Sequence, residues 1–158
     1  MNINIRKAII SDYEGLCEVY LELDEHHLAN HPELFIKNTD CPRAINYITE
    51  ALEDDNKSIF VAEGDSKIIG FAECNILKAA NFPAFKNREW IQIDSLAVKK
   101  EYQNHHIGSM LLDKVIEWAK TKGIDRIELK VYSFNKSAVD FYFKNGFKEL
   151  SKTMYVDI

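Results

Sequence analysis

The chain has 158 residues, of which 46% are hydrophobic and 28% charged, and its formal net charge is −5. This is the size and composition of one ordinary globular domain. The negative charge argues against nucleic acid as the main partner, because phosphate binding needs a basic face. No apolar run approaches the roughly 20 residues that span a bilayer, and no signal peptide is evident. We therefore expect a single domain over residues 1–158, located in the cytoplasm, with neither nucleic acid nor a membrane as partner.

The chain alternates between patterns typical of strands and of helices. Ser11-Asp12-Tyr13-Glu14 reads as a capping box that opens the first helix, and Gly123 and Gly146 each follow a helical pattern at the position where a helix ends. In chain order the predicted elements are a strand over 2–7, a helix from the capping box to His26 or His27, a helix from Asp40-Cys41-Pro42 to about Asp54, strands over 58–63, 67–78 and 89–98, a helix over 107–122, a strand over 124–132, a helix over 137–145 and a strand over 152–158.

The order β α α β β β α β α β sets an antiparallel meander before a β-α-β unit. It predicts an α+β fold with a mixed central sheet and helices on both faces. No linker, repeat or change of composition marks a second domain.

Residues with thiol or metal chemistry form no convincing cluster. Cys17, Cys41 and Cys74 are odd in number, widely spaced and without a CxxC pair, so we expect three reduced, inert thiols. His27 and His31 are four residues apart, but no third ligand stands at a defined spacing. We therefore expect no metal site.

The stretch from Leu96 to Ser109 combines the end of a strand, a short turn and the start of a helix near Ile107. The first N–H groups of a helix have no internal partner, and the helix dipole favours negative charge there. Gly108 would remove a side chain where a phosphate approaches the backbone. The pattern therefore predicts an anion site, although a purely structural turn would look similar.

A second constellation follows some thirty residues later, on the next β-α unit. It consists of Asn135, Ala138, the pair Phe141-Tyr142 and the pair Gly146-Phe147. Taken singly, Asn135 is an ordinary turn or cap residue and Tyr142 an ordinary core aromatic. Their occurrence together, after the Gly108 loop, is what makes the pattern specific.

Together these residues make the segment 89–147 resemble the GNAT acetyltransferase superfamily. The first family signature, Q/R-x-x-G-x-G/A, corresponds here to Gln103-Asn104-His105-His106-Ile107-Gly108. The second is an Asn, a small residue, an aromatic-Tyr pair and Gly-Phe, which the constellation matches. His106 replaces the first glycine of the signature and Asn104 another frequent glycine, a departure that bears on cofactor affinity rather than on the fold. Both residue types tolerate a left-handed conformation.

The resemblance implies acetyl-CoA as a co-substrate and no metal. Backbone groups at the end of the strand, at Leu96 and Val98, would hold the pantetheine arm. Backbone N–H groups of the loop from Gln103 to Ser109 would bind the pyrophosphate. The Asn135 side chain would contact the pantetheine or the diphosphate. The residues so implied in cofactor binding are Leu96, Ala97, Val98, Gln103, Asn104, His105, His106, Ile107, Gly108, Ser109, Asn135 and Tyr142.

The resemblance also implies catalytic roles. Tyr142 would lie beside the thioester sulfur and protonate the departing thiolate. Asp94 stands where several relatives carry a Glu and is the candidate base, directly or through a water, with Glu73 as another candidate. Glu73 is otherwise expected to be a solvated strand residue. A backbone N–H at Val98 would stabilise the oxyanion of a direct transfer that forms no covalent enzyme intermediate.

The acceptor is less determined than the donor. Residues 1–56 hold 12 Asp/Glu and 4 Lys/Arg, which suits a cationic amine such as a polyamine, an amino sugar or a lysine-like molecule, but solvated surface acids would look the same. Two alternatives stay open, a protein N-terminal or lysine acetyltransferase and a non-catalytic coenzyme A-binding sensor. A homodimer is also compatible with the resemblance.

Overall fold

The computed structural model describes residues 2–158, so Met1 of the predicted domain lies outside the described residues. No helix in the described chain is long and apolar enough to cross a bilayer. In chain order the strands and helices are β1 (Ile3–Lys7), α1 (Tyr13–Asn30), α2 (Ile45–Glu53), β2 (Lys57–Gly64), β3 (Lys67–Lys78), β4 (Glu89–Val98), α3 (Ile107–Thr121), β5 (Ile127–Leu129) and α4 (Lys136–Lys144).

The five strands form one sheet in the order β1-β2-β3-β4-β5. The first four strands pair antiparallel, and β5 pairs parallel to β4. The predicted meander followed by a β-α-β unit is therefore confirmed. Asp65 and Ser66 both have positive φ angles, of 50° and 62°, which suits a tight two-residue hairpin turn whose twist matches that of the flanking strands.

Two hydrophobic cores lie on the two faces of this sheet. One contains Leu16 and Tyr20 of α1 with Ile48 of α2, and the other contains residues of α3 such as Leu111 and Val115. Alternate residues of β2 enter different cores, because successive side chains of a strand point to opposite faces. The prediction of helices on both faces is confirmed.

The predicted capping box at the first helix is wrong. Residues Ile10–Asp12 form a short 3₁₀ turn, and α1 begins only at Tyr13. The residue that ties down this turn is Asp12, whose carboxylate accepts the backbone N–H of Ile9 at 2.9 Å and forms an ion pair with Arg6 at 2.7 Å. The guanidinium of Arg6 lowers the pKa of Asp12. The Asp12 carboxylate, held by Arg6 of β1, therefore replaces the cap that the sequence predicted from Ser11 and Glu14.

The expectation of three reduced thiols is also wrong. A disulfide joins Cys17 of α1 to Cys41 in the segment before α2, and only Cys74 is free. The second helix begins at Ile45 rather than near Pro42, so residues 40–44 lie outside it. A pairing of residues 24 positions apart depends on how the segment packs against α1, which the spacing of cysteines cannot reveal.

Opening this disulfide should lower stability measurably. A loop of this length is expected to contribute about 3 kcal/mol by restricting the unfolded chain, which corresponds to a melting temperature lower by about 6–12 °C. Melting of the wild-type protein with and without reductant tests this, and Cys41→Ser provides the control because reductant should not change its melting further. A thiol count of three in the untreated protein would contradict the pairing.

Two predicted strands near the end of the chain differ in the structure. The strand expected over 124–132 is shorter in the structure, Ile127–Leu129, because β5 pairs with β4 at only three positions before the two strands diverge. The strand expected over 152–158 does not form, and within the described chain residues 148–158 belong to no helix or strand and are exposed. The observed order is therefore β α α β β β α β α.

Candidate active site

Strands β4 and β5 separate in the middle of the sheet. They pair only over Ile91 to Ile93 of β4. After Ile93, strand β4 continues to pair with β3 on its other side, through residues 96–98. The edge of Leu96, Ala97 and Val98 that faces away from β3 is thus left open. An open strand edge can accept an extended ligand through backbone hydrogen bonds, as an added strand would.

The loop after β4 leads directly into the N-terminus of α3. Asn104 and His106 both adopt left-handed conformations, with φ angles of 64° and 62°. The first helical hydrogen bond runs from the N–H of Met110 to the carbonyl oxygen of His106 at 3.0 Å. The N–H groups of residues 107–109 therefore lack helical partners and are free for an anion. The side chain of Gln103 donates to the carbonyl oxygen of Val98 at 3.0 Å and closes the loop against the strand.

The conformation of His106 explains what the sequence pattern left open. A left-handed residue directly before the helix is the place where glycine is favoured, because glycine has no Cβ to clash. Here the backbone adopts that conformation with a histidine instead. His105 and His106 are both exposed, so their rings lie on the solvent side of the loop.

Helix α4 begins at the second predicted constellation. The side-chain oxygen of Asn135 accepts the N–H of Ala138 at 3.2 Å and the hydroxyl of Ser137 at 3.1 Å, which makes it the N-cap of α4. Tyr142 packs against Phe141 and Phe147. Burial raises the pKa of Tyr142 to about 12, so its hydroxyl stays protonated at neutral pH.

Asp94 occupies an irregular position in β4. Glu73 pairs with Ser95 and Cys74 with Ile93, so Asp94 is the extra residue of a β-bulge. Bulges of this kind redirect a side chain and are frequent beside active sites. Partial desolvation raises the pKa of Asp94, as does the nearby Glu73 carboxylate, while the side-chain amide of Asn75 donates to Asp94 and opposes the shift.

Glu73 is buried, contrary to the expectation of a solvated strand residue, with 7% of its surface exposed. Its carboxylate accepts the hydroxyl of Tyr20 at 2.7 Å and that of Tyr47 at 2.5 Å. Burial and the Glu73 charge raise the pKa values of both tyrosines. The guanidinium of Arg43 lies 4.5 Å from the centre of the Tyr20 ring. The only hint in the sequence was a glutamate inside an otherwise apolar strand pattern.

Glu73 and Asp94 line one cavity of about 250 Å³ between α2 and strands β2 to β4. Tyr47 and Asn75 complete its polar wall, and Lys57 also lines it. Two carboxylates and one ammonium group give the cavity a net negative lining. It begins at the bulge of β4, two residues from the open edge at Leu96, so a molecule in this cavity would border a ligand held along that edge.

Comparison with known proteins identifies the class of this arrangement. The profile of the Acetyltransferase (GNAT) family matches residues 17–147. The chain belongs to this family. It is therefore related to the acetyl-CoA-dependent N-acetyltransferases, and the family resemblance of segment 89–147 is confirmed.

Individual relatives differ in how much of the chain they share. The spermidine N(1)-acetyltransferase of Thermoplasma acidophilum is 31% identical over 94% of this chain and 89% of its own. The uncharacterized N-acetyltransferase MJ1207 of Methanocaldococcus jannaschii is 33% identical over 65% of this chain, which spans 44% of that protein. The crystal structure of a tetramutant of the BH1408 protein from Bacillus halodurans superimposes with a TM-score of 0.92 at 23% identity, covering 98% of this chain and 99% of that one. The last likeness concerns the fold alone.

In this GNAT domain Gly108 lies close to α4 as well as in the first turn of α3. A Cβ at Gly108 would lie 3.4 Å from the ring of Phe141 and 3.9 Å from Leu96. Both distances are ordinary van der Waals contacts, so α4 and β4 leave room for a single methyl group at this position but for no larger side chain without movement. The backbone N–H of Gly108 remains free in the first turn of the helix, so its predicted contact with an anion is a separate matter.

We expect Gly108→Ala to be tolerated and Gly108→Val to weaken coenzyme A binding. The alanine Cβ fits in ordinary contact, whereas the branched valine would push Phe141 and with it the helix that carries Tyr142; overpacking of this kind typically costs about 1–3 kcal/mol. Calorimetric titration with coenzyme A, together with melting temperatures, measures both effects. A folded Gly108→Val protein with wild-type affinity would refute the assignment of this loop.

The three histidines of α1 and the following segment form an aromatic cluster. His27 stacks on Phe35 at 5.1 Å, and His26, His27 and His31 contact Tyr132 or Phe134 from the segment after β5. Burial lowers the pKa of His27. Within residues 2–158 no group of three potential ligands is arranged to hold a metal ion. The cluster thus connects α1 to the segment that leads to Asn135.

Proposed function

We propose that this GNAT domain transfers the acetyl group of acetyl-CoA to a primary amine of a small cationic molecule. The observation that carries the proposal is the free N-terminus of α3, which stands at the end of a strand whose outer edge is open. A diphosphate and an extended pantetheine arm have the chemistry that these two features accept. Both the geometry and the family membership support acetyl-CoA as the donor.

The donor would be held mainly by backbone groups. The open edge of Leu96, Ala97 and Val98 would pair with the amides of the pantetheine arm. The loop from Gln103 to Ser109 would bind the diphosphate, using the unpartnered N–H groups of the first helical turn. Asn135 uses its side-chain oxygen to cap α4, which leaves its NH₂ group as the donor to pantetheine or diphosphate.

The proposed chemistry is direct attack of a neutral amine on the thioester carbonyl. Asp94, directly or through a water, takes the proton that the ammonium form of the acceptor must lose. The N–H of Val98 would donate to the oxygen that becomes negative as the C–N bond forms. Tyr142 donates its proton to the sulfur as the C–S bond breaks, the second proton lost by the amine nitrogen restores the phenol, and Asp94 returns its own proton to solvent. The products are an acetamide and free coenzyme A, and no bond to the enzyme is needed.

Preference for a cationic acceptor is supported by the cavity beside Asp94. Glu73 of β3 is held in place by two tyrosine hydroxyls. Asp94 lies on the neighbouring strand β4, at the bulge opposite Glu73. Both carboxylates border the place where the acceptor would stand, and an acidic lining concentrates cations. The related spermidine acetyltransferase of Thermoplasma acidophilum is named for a cationic amine of this kind.

An acceptor screen with acetyl-CoA, measured by release of free thiol, tests the proposal. Small amines, neutral and anionic acceptors and peptides with free N-termini or lysines should be compared side by side. We expect cationic small amines to have the highest kcat/KM. Added salt should raise their KM because it screens the attraction between the amine and the two carboxylates; the Debye length is about 8 Å at physiological ionic strength. Preference for peptides would favour a protein acetyltransferase, and coenzyme A binding without any turnover would favour a sensor.

A further inference from the structure

The cavity beside Asp94 has a positive group among its acidic ones. Lys57, the first residue of β2, is exposed and lines the cavity together with Glu73 and Asp94. None of the ion pairs within residues 2–158 involves Lys57. Its charge still acts on the Asp94 carboxylate, because it opposes the rise in the pKa of Asp94. The cavity therefore offers a cation as well as two carboxylates.

The register of the sheet places these charges in a row across three strands. Lys57 pairs with Asn75 of β3, and the side-chain amide of Asn75 donates to Asp94 of β4. Residues paired across neighbouring strands share one face of the sheet. Because strands are about 4.8 Å apart, the backbones at the two ends of this row are separated by roughly 10 Å. The basic end of the cavity thus lies one short molecule away from the proposed base.

The surface between the charged groups is apolar. Ala51 of α2 and Ile59 of β2 line the cavity and are 3% and 0% exposed, so they are suited to pack against methylene groups. The cavity volume of about 250 Å³ corresponds to roughly eight groups the size of a water molecule, at about 30 Å³ each. This is room for one compact molecule with a short hydrocarbon chain.

We propose that Lys57 binds a carboxylate of the acceptor, so that the acceptor is a diamino acid whose terminal side-chain amine lies at Asp94. This inference rests on the proposed function and narrows its substrate class. Glu73, Asp94 and Lys57 leave the lining with one excess negative charge, and a diamino acid such as lysine carries one excess positive charge. Its side-chain nitrogen and its carboxylate are roughly 7 Å apart when the chain is extended, and the long side chain of Lys57 spans the remaining distance.

Only the side-chain amine of such an acceptor would react. Lysine and acetyl-CoA would give lysine acetylated on its side-chain nitrogen, free coenzyme A and one proton released to solvent. The C–N bond forms at the side-chain nitrogen as the C–S bond of the thioester breaks. The α-amine stays free, because the carboxylate bound by Lys57 holds it at the far end of the cavity from the thioester.

Lysine and cadaverine are matched acceptors that test the proposal, since cadaverine is lysine without its carboxylate. The wild type should prefer lysine, and the ratio of kcat/KM for lysine to that for cadaverine should fall about fivefold in Lys57→Gln, the upper range for an ion pair at an exposed residue. Lys57→Arg keeps the charge and should keep the ratio. Lys67→Gln is the matched control, because Lys67 is an exposed lysine at the opposite end of the β2–β3 hairpin, and it should have the wild-type ratio.

The outcomes separate this inference from the proposed function. A wild type that prefers cadaverine, a ratio unchanged in Lys57→Gln, or a product acetylated on the α-amine overturns the inference and leaves acetyl transfer to amines intact. If no amine is acetylated, the proposed function fails, and calorimetric titration of lysine and cadaverine into the protein with coenzyme A tests the inference by itself. Lys57→Gln should then weaken the binding of lysine but not of cadaverine, and equal affinity of both proteins for lysine would overturn the inference.

Discussion

A Tyr142→Phe enzyme should keep its affinity for coenzyme A within a few-fold and lose turnover by about 10²–10⁴-fold, the usual contribution of a positioned acid. Burial raises the pKa of Tyr142 to about 12, so the phenol carries its proton throughout the physiological range. Phenylalanine keeps the contacts with Phe141 and Phe147 and removes only the proton donor. Binding and chemistry should therefore separate in this variant.

The pH profile sharpens this test. Because the folded-state pKa is raised, the donor form is lost only as the pH rises towards 12, and Tyr142 should cause no fall in rate below about pH 10. Tyr132→Phe is the matched control, since it removes a tyrosine hydroxyl from the aromatic cluster beside α1 and should leave turnover unchanged. If Tyr142→Phe has the wild-type rate at every pH, Tyr142 is not the acid.

Elements determined by local patterns were predicted well from the sequence. The bounds of β3 and β4 agree with the predicted 67–78 and 89–98, because long apolar runs are delimited by turn residues. The end of α3 was recognised from Gly123, which has a φ of +68°. In each case neighbouring residues contain the whole signal, so no knowledge of the tertiary structure was needed.

Features that depend on distant residues were missed. Asp12 is tied to Arg6, and Cys17 to Cys41, through contacts that exist only once the sheet and α1 are assembled. The burial of Glu73 likewise requires two tyrosines from different helices. The motif residues of the candidate site stay predictions of binding residues, whereas the cavity lined by Glu73 and Asp94 was not predicted at all. A local motif cannot show this cavity, because its lining comes from α2 and from three different strands.

Asp94→Asn should reduce kcat/KM by about 10²–10⁴-fold near neutral pH, and the loss should shrink as the pH rises. A primary ammonium has a pKa near that of lysine, about 10.4, so the neutral form of the acceptor is scarcest at low pH. The reaction therefore depends most on a base at low pH, where nearly all of the acceptor is ammonium. Asparagine preserves the size of the side chain and its place in the bulge of β4. The variant therefore removes the proton acceptor and one negative charge from the cavity, and little else.

The direction of the Asp94 shift adds a second signature to the same experiment. Desolvation and the Glu73 carboxylate raise the pKa of Asp94, so in the wild type its basic form is lost, as the pH falls, at a higher pH than for an ordinary aspartate at about 3.9. The resulting fall in rate at low pH, the acidic limb of the pH profile, should be present in the wild type and absent in Asp94→Asn. Asp65→Asn, in the exposed turn between β2 and β3, should retain it. A uniform loss at all pH values with the acidic limb intact would show that Asp94 only helps to bind the acceptor.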